Sequence, residues 1–110
     1  MTTATQTRSM IWDGLSGRQY RYYIHPIGTK FKAVPGNYIF AREASPGRHR
    51  PIYIGETEDL SERFDNHHKM PCIRRESATH IHVHQTNGGV ATRRTEERDL
   101  VEKWHPNCNG

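Results

Sequence analysis

The sequence predicts an α/β domain: a small, mostly antiparallel three-stranded sheet flanked by helices, with an extra strand or hairpin at the N-terminus. Three observations point there. Two apolar and aromatic runs, 36–40 and 51–55, lie on either side of Ser45-Pro46-Gly47, which is the pattern of a β-hairpin. Two later segments carry apolar residues at helical spacing. Between them, within a strand at 79–85, His80, His82 and His84 alternate with Ile81 and Val83.

In chain order, residues 1–10 read as a loose, Thr-rich tail. Residues 11–35 form an N-terminal extension, in which Arg18–Ile27 is β-branched and aromatic enough for a strand. Gly28-Thr29 turns it towards Phe31–Val34, and Pro35-Gly36 breaks the chain before the first hairpin strand. Residues 36–110 form the main unit, with strands at about 37–42, 51–55 and 79–85. Thr57, Glu58 and Asp59 look like the opening of a helix over 58–68, stopped by Met70-Pro71. Asn87-Gly88-Gly89 turns the chain into a helix over 91–104, which stops at Pro106.

Composition narrows the function classes. With 110 residues, 33% hydrophobic, and a mean hydropathy of −0.94, the chain has room for one domain with a small core. No apolar run reaches the length of a membrane span, and the N-terminus lacks a secretory signal, so a cytoplasmic protein is expected. Cys72 and Cys108 are far apart and outside any CxxC motif, so they read as free thiols. A net charge of +4 suits a polyanionic partner without naming one. Arginines at 48, 50, 74, 75, 93, 94 and 98 are interrupted by an acidic segment, Glu56 to Asp65.

The helical stripes carry the chemistry. Leu60, Arg63, Phe64 and His67 share one face, and Glu97, Leu100, Val101 and Trp104 share another. Charges on buried faces are costly. Arg63 and Glu97 are therefore either edge residues in a structural ion pair, or part of a cleft to which both helices contribute.

The spacing of these residues resembles the GIY-YIG endonuclease family. Gly36-Asn37-Tyr38 stands for the first motif, with Asn37 where the family usually has an aliphatic residue, and Tyr53-Ile54-Gly55 is the second motif. Arg63 follows its glycine by eight residues, His67 comes four later, Glu97 precedes Leu100-Val101, and Asn109 closes a Pro-x-x-Asn at 106–109. The resemblance covers about residues 36–109 and implies a metal-dependent DNA endonuclease. One Mg²⁺ or Mn²⁺ would sit on Glu97, with Tyr38 as the favoured general base and Tyr53 as its hydrogen-bonding partner, the reverse assignment staying open. Arg63 would hold the scissile phosphate, His67 would orient water or the leaving oxygen, and Asn109 would pin the chain end. Many family members carry lysine after the second glycine, where this chain has Glu56.

Alternatives from the residues alone stay open. Strand tyrosines are commonly packing residues. The alternating histidines form a polar, partly solvated face that touches DNA, or with a cysteine they bind Zn²⁺. A nucleic-acid-binding module without turnover is the rival function.

Overall fold

The computed structural model describes residues 8–62 and 64–110. Five strands, β1 (Arg8–Asp13), β2 (Gln19–Pro26), β3 (Gly36–Ser45), β4 (Arg48–Thr57) and β5 (His80–Gln85), form one curled antiparallel sheet in the order β1-β2-β5-β3-β4. Two helices, α1 (Met70–Arg75) and α2 (Val90–Trp104), complete the fold, with short 3₁₀ turns at Phe64–Asn66 and Asn107–Asn109. This mostly β architecture overturns the expected three-stranded sheet flanked by helices.

The difference comes from β5. It pairs with β2 on one side and β3 on the other, so the N-terminal strands extend the main sheet rather than forming a separate appendage. Residues 8–10, expected in the tail, belong to β1, whose Trp12 is buried and lies opposite Tyr20 of β2. Phe31–Val34 is a loop, not a strand.

The strand period of two places cores on both faces. Tyr38, Phe40, Ile81 and Val83 face α1 and pack with Met70 and Ile73. Trp12, Tyr22, Ile39 and Ile54 face α2 and pack with Leu100.

The expected helix over 58–68 does not form. The Asp59 carboxylate accepts hydrogen bonds from both the backbone N–H and the hydroxyl of Ser61, and the Leu60 N–H donates to the Val34 carbonyl at 2.8 Å. Such side-chain and tertiary bonds divert the groups a helix would need. Met70-Pro71 starts α1 instead of stopping a helix, because proline's fixed φ and missing N–H suit a first helical turn. The expected Leu60–Phe64–His67 stripe is therefore not a helical face.

Cys72 and Cys108 are joined by a disulfide, with Cα atoms 5.8 Å apart, which corrects the free-thiol expectation. The bond ties α1 to the C-terminal turn. Among the described residues, no helix is long and apolar enough to cross a membrane.

Candidate active site

The β3–β4 hairpin sets the site. Its register pairs Tyr38 with Gly55 and Phe40 with Tyr53, so the two tyrosines stand diagonally on one face, ring centroids 6.1 Å apart. Gly55 is required there, since a Cβ would meet the Tyr38 ring and its hydroxyl at 2.6 Å. Gly36 serves in the same way, because a Cβ would strike the His84 carbonyl and Leu60. Asn37, at the position the family leaves aliphatic, is fully buried. Its amide donates to the Arg93 carbonyl and its oxygen accepts from Thr86, so it fastens α2 to the sheet.

The segment after the Phe64–Asn66 turn lowers His67 onto both phenols, with ring centroids 5.8 Å from Tyr38 and 4.9 Å from Tyr53. Nε2 lies 2.7 Å from the Tyr38 oxygen. The Lys69 N–H donates to Nδ1 at 3.0 Å, so neutral His67 carries its proton on Nε2 and donates to Tyr38. Burial, helped by His68 and Lys69, holds its pKa down to about 4 and keeps it neutral. His67 thus contacts the Tyr38 hydroxyl directly.

Both phenols resist ionisation. Burial raises Tyr38 well above the usual tyrosine range, and Tyr53, Glu97 and Glu56 add to it. Tyr53 is raised by burial and by Glu97, while the Tyr38 hydroxyl acts in the opposite direction and lowers it. Glu97 itself is half-buried on α2, and burial together with the nearby Glu56 raises its carboxyl. Glu56, at the family's usual lysine position, is 2.8 Å from the buried Arg93 and 3.9 Å from Arg94. It is thus a strut between β4 and α2.

Among the described residues, no side chain forms an ion pair with Glu97, and no three His, Cys, Asp or Glu residues gather as a metal cage. A half-buried carboxylate repelled by a second one suits a single hard divalent ion with water in its remaining positions. Residue 97 is the one that would hold it. Asn109 receives the Ile54 N–H and donates to the Ile54 carbonyl, both at 2.8 Å. It behaves as a one-residue strand on the outer edge of β4, beside Tyr53.

Tyr38, Tyr53 and His67 therefore touch one another, Glu97 acts on both phenols through its charge, and Asn109 secures the strand beneath. Arg63 lies outside the described residues. A pocket of about 630 Å³ opens over Tyr38 and His67, walled also by Glu56, Thr57, Glu62, Phe64, Asn66 and His68.

The histidine strand departs from expectation. His80, His82 and His84 do share a face, but it is the α2 side and His82 is fully buried. Trp12 donates to His82 Nδ1 at 3.0 Å, and His82 Nε2 meets His49 at 3.2 Å. His84 stacks on Tyr22, 4.4 Å between centroids. Its Nε2 lies 2.7 Å from a Glu96 carboxylate oxygen but off the hydrogen-bonding direction. Tyr22 donates to the same carboxylate. His82 is closed off inside this face, while His80 and His84 remain partly exposed at its two ends. Glu96, not Glu97, is the most buried carboxylate of α2, a distinction that helical spacing could not make.

Comparison with protein-family models, curated proteins and solved structures finds no match for this chain.

Proposed function

We propose that this chain is a metal-dependent endonuclease that hydrolyses phosphodiester bonds in DNA with a GIY-YIG-like set of residues carried on a five-stranded sheet. The observation that carries the reading is the contact of Tyr38 with His67 beside Tyr53, within the field of the Glu97 carboxylate. Residues distant in sequence meet there, and their types suit phosphodiester hydrolysis.

One Mg²⁺ or Mn²⁺ held by Glu97 would supply positive charge for the developing phosphorane and favour ionisation of a nearby proton donor. The chain's own groups then divide the work. His67 donates to the Tyr38 oxygen and holds that ring in place. Burial raises both phenols, Tyr38 the further, and the Tyr38 hydroxyl partly offsets the rise at Tyr53, so Tyr53 is taken as the base and Tyr38 as its positioning partner. Asn109 fixes the backbone next to Tyr53. Arg63 is the proposed phosphate clamp, suited to it by its planar fork of donors.

A second reading is a DNA-binding protein with little turnover. The Glu56–Arg93 pair favours it, since a carboxylate stands where a lysine would help ionise tyrosine. The cytoplasmic expectation rests on the lack of a secretory signal, and the Cys72–Cys108 bond weighs against it, as structural disulfides belong mainly to oxidising compartments.

The test is nicking of supercoiled plasmid, branched DNA and single strands with Mg²⁺ or Mn²⁺, and with EDTA. Cleavage that needs the metal supports the endonuclease. Salt-sensitive binding without cleavage of any substrate selects the second reading.

A further inference from the structure

A second cavity is larger than the one over Tyr38. It has a volume of about 1100 Å³ and lies on the same sheet face, between the loop after β2, α1 and the segment around Phe64, with Phe40 and Ile81 of β3 and β5 at its floor. This is slightly above the usual span of small-molecule sites, about 300–1,000 Å³. Its lining combines three aromatic rings with two exposed cations. Phe64 meets Phe40 edge-on at 5.8 Å and Phe31 at 6.2 Å, while Lys30 and Arg74 contribute positive charge.

Phe64 and Glu62 belong to this cavity and also to the smaller pocket over Tyr38 and His67. The Phe64 ring is 4.9 Å from that of Tyr38. A group bound in the large cavity would therefore sit one side chain, Phe64, away from Tyr38. Glu62 is the one acid among its described walls, and it stands on the shared side.

We infer that this cavity accepts one unpaired nucleobase next to the scissile phosphate, so that the substrate is single-stranded or locally unpaired where it is cut. This rests on the endonuclease reading. A base has two π faces, which aromatic walls hold whatever its sequence. Its flanking phosphates match Lys30 and Arg74. A base stacked inside a duplex cannot enter a concave site unless it is flipped out, and flipping is least costly where pairing is already absent.

The test uses the full chain in EDTA and a single-stranded oligonucleotide bearing one fluorescent purine analogue, with the paired duplex of the same sequence as control. The analogue should change fluorescence on binding, and the single strand should bind at least about tenfold more tightly than the duplex. Phe31→Ala should weaken single-strand binding about tenfold, in the range of a lost stacking contact, and Phe31→Trp should restore it. Should Phe31→Ala not fold, the exposed Lys30→Gln is expected to weaken binding and flatten its salt dependence. Equal affinity for duplex, or binding without any response from the analogue, would overturn the inference. Adding Mg²⁺ separates the two claims. Cleavage with a silent analogue overturns the nucleobase site and leaves the endonuclease standing. A responding analogue without cleavage supports the nucleobase site and overturns the endonuclease.

Discussion

Tyr38 lies across Gly55 so closely that a Cβ on Gly55 would come within 2.6 Å of both Cζ and the hydroxyl oxygen of Tyr38. Gly55 has ordinary extended backbone, so its value lies in the space it leaves. Gly55→Ala should destabilise the fold by about 1–3 kcal/mol, the usual cost of overpacking, and displace Tyr38 from His67. Urea unfolding checks the first effect, and the His67 ring signals in NMR check the second. An unchanged His67 environment would mean that the Tyr38 ring position does not depend on Gly55.

Glu97→Gln separates catalysis from stability. Cleavage should vanish while the fold persists. The sign follows from the raised carboxyl pKa. The folded chain holds the Glu97 proton more tightly than the unfolded chain, so the ionised group opposes folding at neutral pH. The melting temperature without metal should hold or rise. A marked fall would assign Glu97 a structural ion pair instead.

The two phenols should respond differently. Tyr53→Phe should abolish cleavage and Tyr38→Phe should slow it, with DNA affinity nearly constant in both. The wild-type rate should climb towards alkaline pH, because burial and Glu97 raise the base that must ionise. Two silent variants in an otherwise active protein would return both tyrosines to the role of core aromatics.

Acid should weaken the fold before any depressed carboxylate takes up a proton. Burial lowers His25, His49, His67 and His82 below 6.5, to about 4 for His67 and about 3 for His82. The unfolded chain protonates first, so stability present above pH 6.5 is lost as pH falls, chiefly through the buried His82. Glu97 acts in the opposite sense but is a single group. Glu43, Glu76 and Asp99, held down chiefly by hydrogen bonds from Arg8, Asn107 and Ser16, contribute only below their ordinary values of 4.5, 4.5 and 3.8. Urea midpoints at pH 7 and pH 5 should therefore differ, and His67→Gln should flatten the slope. A level profile over that window would count against buried neutral histidines.

Reduction of the disulfide should loosen the site from below. Closing a loop between residues 36 apart is worth about 2–4 kcal/mol. Cys108 adjoins Asn109, so Cys108→Ser should lower the melting temperature and speed hydrogen exchange of the Ile54 amide that Asn109 receives. Exchange that stays slow would show that Asn109 needs no help from the disulfide.

Much of the local structure was legible in the residues themselves. Ser45-Pro46-Gly47 between two apolar runs specifies the β3–β4 hairpin, and the pairing of Tyr38 with Gly55 then places both tyrosines on one face. The turn at Asn87-Gly88-Gly89 and the stop at Pro106 bracket α2 to within a residue of its observed span. These signals are local, since turn conformation and strand alternation depend on neighbouring residues. What required tertiary structure depended on distant partners. Whether His82 faces water depends on β2 and β3 pairing along both sides of β5, and the alternation of His80–His84 is the same in either case. Glu96 and Glu97 are adjacent on α2, and only its rotation against the sheet decides which is buried. The helix expected over 58–68 lost to bonds from Asp59 and Val34, the second of them remote in sequence. Cys72 and Cys108 became partners because the C-terminal turn docks beside α1, a proximity that spacing along the chain cannot express.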